Sequence, residues 1–206
     1  MGRLVRERGI VRYFEIETLG DINNSELLFL DQEPEVLGLD GYCLAAGEPI
    51  GTDYPSEVKV KPSEEHAGIQ LSSLLGNNFN YLIASAAVKE AVSEHCVEAA
   101  IEYLPFTLLD HRERVRSQDY FFINPLGSID AVDAAASDIK YHRSGAVVAI
   151  RKLVLDPQKL IGAPGLFRLK QDPQRYIVSE PLVRAFKERG FTNLVLREIA
   201  VSAVKA

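Results

Sequence analysis

Three carboxylates have the residue type and spacing best suited to chemistry: Asp130, Asp133 and Asp138. Asp130 and Asp133 are three positions apart, so a helical turn would place both on one face. Carboxylates grouped in this way bind a divalent cation or divide acid and base roles between them. Aspartate is equally a turn and cap residue. This cluster follows Pro125-Leu126-Gly127 and runs into small residues, where turns are expected. His95 and Cys96 are adjacent, and neighbouring side chains diverge in both helix and strand. The pair is therefore poorly built for thiolate attack, which also needs an electropositive site. Asp110-His111 has the order of an orienting pair, but no serine or cysteine is tied to it. His66, His95, His111 and His142 lack metal-ligand spacing. Glycine-rich phosphate loops, the nucleophile elbow and the H-E-x-x-H zinc motif are absent. No cofactor is expected.

Charge says more than motif. A net charge of −6 argues against nucleic acid as a partner, because phosphate binding needs clustered Lys and Arg. The distribution is segregated. Tyr13 to Val58 contains no Lys or Arg, yet holds Glu15, Glu17, Asp21, Glu26, Asp31, Glu33, Glu35, Asp40, Glu48, Asp53 and Glu57. A field of one sign speeds encounter with an oppositely charged partner; the same residues also suit a plain solvated face. Cys43 and Cys96 are isolated, and Met1 to Arg8 is charged with no apolar core, which together predict a cytoplasmic protein without a secretory leader. The apolar runs fall far short of the ~20 residues needed to cross a bilayer, so no membrane partner is expected.

These residues must be positioned by short elements. Arg3 to Arg12 reads as a basic leader, expected to be mobile up to Gly9. Val11 to Glu17, Glu26 to Asp31 and Glu57 to Lys61 read as strands. Pro34 to Pro55 reads as a long loop rich in Gly and Pro, a length that is often functional. Ser63 to Asn80 reads as a connection with one helical turn near Ser72 to Leu75. Pro105 should end one strand, and Asn124-Pro125 should stop the strand at Asp119 to Ile123. Ala146 to Leu155 is the longest β-type run, and Leu166 to Lys170 is another strand. The last long element parses as Tyr176-Ile177-Val178, then a helix with Ser179 as N-cap, Pro181 in its first turn and Gly190 as its stop, then a strand from Leu194 to Ile199.

That element has an echo. Shifted back by ninety-five residues without a gap, Tyr81 to Leu104 shows the same grammar, with Tyr81 against Tyr176, Val88 against Val183 and Ser85 as N-cap. Strands outnumber helices and most connect through turns. The expected class is α+β, with a mixed, largely antiparallel sheet, a few short helices and a candidate internally repeated strand–helix–strand unit. The expected organisation is one domain over residues 1–206, with candidate lobes at 10–62 (acidic, loop-rich) and 76–200 (scaffold).

The C-terminal half resembles a known family. Tyr120-Phe121-Phe122-Ile123-Asn124-Pro125, then Asp130, Asp133 and Ser137, Val147 to Asp156, Leu166-Phe167-Arg168-Leu169, Tyr176-Ile177-Val178-Ser179-Glu180 with Leu182, and Gly190-Phe191-Thr192-Asn193 are similar in order and spacing to the eleventh numbered immunity-protein family of bacterial polymorphic toxin systems. Correspondence is weaker from Tyr81 and at the first strand near Tyr13. Asn193 stands where that family often has Gly; Asn tolerates a left-handed backbone, so the turn can survive. The resemblance implies a protein that is no enzyme, and that binds and neutralises a cognate toxin domain from its own locus. The acidic, loop-rich stretch is the expected contact: Glu33, Glu35, Asp40, Glu48 and Asp53 supply charge, with Tyr42, Tyr54 and Leu39 as apolar anchors. The alternative is a small metal-dependent enzyme using Asp130, Asp133 and Asp138. A structural or self-associating protein is the third reading.

Overall fold

Tyr176-Ile177-Val178 is apolar at every position because its strand has no solvent face. In this computed structural model, which describes residues 11–203, Tyr176 and Val178 join one buried cluster and Ile177 another. Strands covered on both sides read as continuous apolar runs. The basic leader, apart from Val11 and Arg12, and the end of the C-terminal tail lie outside the described residues.

In chain order the elements begin with β1 (Tyr13–Ile16), β2 (Phe29–Leu30), α1 (Asp40–Ala46), β3 (Lys59–Val60), β4 (Gly76–Asn77) and β5 (Ile83–Ser85). Next come α2 (Ala86–His95), β6 (Ile101–Leu109), β7 (Val115–Pro125), β8 (Asp138–Tyr141) and β9 (Val147–Lys152). The chain closes with β10 (Val154–Leu155), β11 (Leu166–Leu169), β12 (Asp172–Ser179), α3 (Glu180–Glu188) and β13 (Leu196–Val201). Strand order is β10-β13-β1-β12-β11 in the larger sheet and β3-β6-β7-β5 in the smaller, with β2-β4 and β8-β9 as separate pairs. This is the expected α+β class with mixed, largely antiparallel sheets.

The two sheets repeat one arrangement. β3 is parallel to β6, and β7 lies antiparallel between β6 and β5. Likewise β10 is parallel to β13, and β1 lies antiparallel between β13 and β12. Each helix thus joins two parallel strands with a foreign strand slipped between them, a split β-α-β unit. The counterparts Lys59–Val60 and Val154–Leu155, and the strand starts Ile101 and Leu196, stand at the same ninety-five-residue shift as the sequence echo. The inserted strands are exchanged. β1 opens the first half yet completes the second half's sheet, while β7 opens the second half yet completes the first half's. The segment 10–62 contributes β1 to one sheet and β3 to the other, so the division into 10–62 and 76–200 does not coincide with the sheets.

Three clusters form the core. Val88, Ala91 and Val92 of α2 and Leu182, Val183 and Phe186 of α3 pack with Phe14, Ala84, Ile123, Tyr176 and Val178 from both sheets. The other face of the smaller sheet (Ile83, Leu104, Phe106, Phe122) is covered by Leu30, Leu37, Leu44 and Ile50 from the acidic segment. The other face of the larger sheet (Phe167, Leu169, Ile177, Ile199) is covered by Ala131, Val132 and Leu160.

Several local expectations are corrected. Ser72 to Leu75 makes no helical turn: Leu74 bridges Ala84, and the Leu75 N–H donates to the Ile83 carbonyl, so pairing with β5 holds it extended. Pro105 does not end its strand. It sits within β6 where β3 does not reach, and its carbonyl accepts from the Tyr54 hydroxyl at 2.7 Å, so the missing N–H breaks no ladder. The run Ala146 to Leu155 is divided: charged Arg151 and Lys152 keep β9 in an exposed hairpin, while Val154 and Leu155 are buried in the larger sheet. Pro34 to Pro55 is not a plain loop, since it contains α1 and two 3-10 turns, at Glu35–Leu37 and Gly51–Asp53. Ser85 and Ser179 occupy the N-cap positions with extended backbones, but neither side chain makes a capping bond. Asn193 does take the left-handed backbone, at φ 56°, and its side chain donates to the Leu74 carbonyl.

Candidate functional site

The acidic segment forms a ledge over the smaller sheet. Its inner residues Leu37, Leu44 and Ile50 are buried, and Gly41 allows the Tyr81 hydroxyl to donate to the Gly41 carbonyl at 2.8 Å. A Cβ on Gly41 would lie 2.6 Å from that hydroxyl, so only glycine fits. The outward residues recur every third position. Val36, Leu39 and Tyr42 are 52%, 90% and 69% exposed, respectively, an apolar stripe with no cover among the described residues. Glu33 and Glu35 flank it and are exposed, and Asp40 opens α1.

The structure brings most of the expected contact residues to this ledge. Glu48 and Asp53 are exposed just beyond α1. The Glu102 carboxylate fixes the turn between them, accepting from the N–H groups of Ile50 and Gly51 at 3.1 and 2.8 Å. Tyr54 is different. It is half-buried, its hydroxyl is bonded to Pro105, and burial pushes its pKa up, so it serves the fold rather than the surface. The base-free stretch is also less acidic in space than in sequence. Glu15 is buried and paired with Arg175 and Arg197, at 3.2 and 2.5 Å. Lys59 of β3 and Lys61 just after it share a notch with Glu33, Glu35 and Glu57. An ion pair with Glu113 raises the Lys61 pKa, and the field of Glu35 adds to it.

A buried arginine sets the ledge in place. Arg168 on β11 is fully buried, and among the described residues no carboxylate is bonded to it. Its guanidinium donates to the carbonyls of Leu44 and Ala45, at the C-terminal end of α1, at 2.6 and 2.8 Å. It also donates to the carbonyls of Pro125 and Pro173, to Asn124 and to the Tyr176 hydroxyl. The negative end of the α1 dipole and these carbonyls take the place of a counter-ion. Gly47 ends α1 in the left-handed conformation at φ 75°, and a Cβ there would lie 2.5 Å from the Arg168 side chain. The sequence held one signal for this hub: an arginine set among Leu166, Phe167 and Leu169 on a strand with no solvent face.

The catalytic alternatives do not assemble. Asp130 accepts from Lys159 and Gln171, at 3.1 and 2.7 Å, and these bonds hold its pKa down. Asp133 accepts from the N–H groups of Ala135 and Ala136, as a turn residue does, and Asp138 begins the exposed β8 hairpin. The helical turn that would align Asp130 with Asp133 is not formed, because Ile129 and Val132 bridge to two different strands. Among the described residues, no group of three or more His, Cys, Asp or Glu could hold a metal ion. Cys96 is buried, and burial raises its thiol pKa to about 11; His95 bonds back to the Ala91 carbonyl. Asp110 closes a turn with Arg112 and Arg114.

The fold therefore defines an α+β protein of two interlocked split β-α-β units, with no assembled catalytic constellation among its described residues. Residues 12–201 match the model of the Immunity protein family (Imm11), and the chain belongs to that family. Membership implies a role in toxin immunity and, in general terms, a toxin as partner. No curated protein matches the chain. Among the described residues, no helix is long and apolar enough to cross a membrane.

Proposed function

We propose that this protein neutralises a cognate toxin domain by direct contact in the cytoplasm, as an inhibitor rather than an enzyme, and that the acidic ledge is its docking face. One observation carries the reading: the exposed stripe Val36, Leu39 and Tyr42 is bordered by Glu33, Glu35 and Asp40, none of which has an ion-pair partner among the described residues. Apolar anchors ringed by charge suit an interface in which burial supplies affinity and charge supplies encounter rate. The complementary partner surface is basic, with an apolar recess for Leu39 and Tyr42. Reversing charge at Glu33, Glu35 and Asp40 together is expected to slow association about tenfold or more at low salt and to flatten its salt dependence. Stopped-flow mixing with the cognate toxin domain measures both. An unchanged salt slope would remove the ledge from the interface.

A further inference from the structure

A second surface feature lies beside the ledge. Leu19, Ile22, Leu27, Phe29 and Ala67 wall a hollow of about 360 Å³, and Asp21 and Glu65 stand with them. Leu19 and Ile22 remain 43% and 51% exposed in this free chain. Among the described residues, no Lys or Arg lines the hollow and neither carboxylate has an ion-pair partner.

The hollow is pre-formed. The Asp21 N–H donates to the Asn193 side chain at 2.6 Å, and Asn193 in turn donates to the Leu74 carbonyl at 2.8 Å, which fixes the loop on one side. On the other side, the His66 ring packs on Phe29 at 4.8 Å between centroids, and its Nδ1 lies 3.1 Å from the Ser63 hydroxyl. That hydroxyl donates to Asp31. A concave, mostly apolar site with a few fixed polar groups is the usual form of a ligand pocket.

We propose that this hollow receives a lysine or arginine side chain presented by the bound partner protein. Such a side chain joins an aliphatic stem to a cationic head, so the stem lies against Leu19, Ile22 and Phe29 while the head meets Asp21 and Glu65. A purely apolar occupant would desolvate two carboxylates without compensation, and an anionic one would be repelled. The inference rests on the docking reading above and extends its footprint. The segments 29–36 and 59–67 run together, joined where the Ser63 N–H donates to the Phe29 carbonyl at 2.8 Å. They line both the hollow and the ledge's notch, so one partner spans both.

The test uses the full chain and two small probes, Nα-acetyl-arginine amide and its neutral counterpart Nα-acetyl-norleucine amide, followed by methyl NMR. The arginine probe should shift the methyl signals of Leu19, Ile22 and Ala67. The norleucine probe, and the arginine probe with the Asp21→Asn/Glu65→Gln variant, should each bind about tenfold more weakly, the scale of one charge-assisted hydrogen bond. Both carboxylates are exposed, so the variant is expected to keep the wild-type spectrum. Equal binding of the two probes, full binding by the variant, or shifts located elsewhere would each overturn the proposal. In a second measurement with the cognate toxin domain, the variant's complex should dissociate faster, and an unchanged affinity would also overturn it. If the wild-type chain fails to bind that domain, the docking reading falls while the arginine titration still decides the hollow.

Discussion

Arg168 donates a 2.6 Å hydrogen bond to the carbonyl of Leu44, a residue 124 positions earlier in the chain. The bond links the end of α1 to a strand of the other half's sheet. The ledge is thereby held by a fully buried cation, and its outward stripe is presented on a fixed backbone. A docking face held this way loses little conformational entropy on binding, which favours affinity.

Removing that guanidinium leaves four carbonyls without their donor. Arg168→Met keeps much of the volume and removes every bond. Each buried acceptor left unsatisfied costs about 1–3 kcal/mol, so the variant should lose about 3 kcal/mol or more of stability. Urea unfolding measures it, and a loss below about 1 kcal/mol would show that the carbonyls are served by other groups.

The exchanged strands predict that neither half folds alone. Without β1, the larger sheet loses the strand between β12 and β13, leaving an unpaired gap at its centre. Separate production of residues 1–112 and 113–206, cut in the exposed β6–β7 turn, should give two unfolded fragments that fold on mixing. Circular dichroism and size-exclusion chromatography follow this. A cooperative melt of residues 113–206 by themselves would contradict the exchange as a folding constraint.

Asp110 provides a pH test. The Arg114 N–H and side chain, with the Arg112 N–H, hold its pKa down to about 2. A carboxyl with a folded pKa below its unfolded value of ~3.9 stabilises the fold fully above that value, and the contribution fades as pH falls toward the folded value. The β6–β7 turn should therefore hold at pH 5 and loosen between about pH 4 and 2. Carboxyl carbon NMR should report the low pKa, and Asp110→Asn should remove the pH dependence of the turn's amide signals. An Asp110 titration near ~4 would contradict the turn geometry.

Much of this fold was legible in the sequence because local signals and tertiary structure agree. Val183, Phe186, Pro181 and Gly190 mark α3, and the ninety-five-residue echo marks α2 and the strand starts. What escaped is non-local. The place of β1 between β12 and β13 is written in no short window, since Tyr13–Ile16 would suit any buried strand. The helix α1 was hidden by Gly41 and Gly47, which sequence rules read as loop, but which are required by the close approach of Tyr81 and Arg168. The acidity of residues 13–58 was correct as composition and overstated as a surface, because Arg175 and Arg197 arrive from far along the chain to pair with Glu15. Tyr54 was expected as an apolar anchor of the contact; its partner, the open carbonyl of Pro105, is visible only in the fold.

Co-production in cells asks whether the ledge neutralises a toxin. Growth of cells expressing the cognate toxin domain would be scored with wild-type chain, with the folded Leu39→Asp/Tyr42→Asp variant, and with no partner. Wild type should restore growth and the variant should not, because charge placed on the two most exposed anchors of the stripe opposes burial. Failure of the wild type to protect, or full protection by the variant, would contradict it.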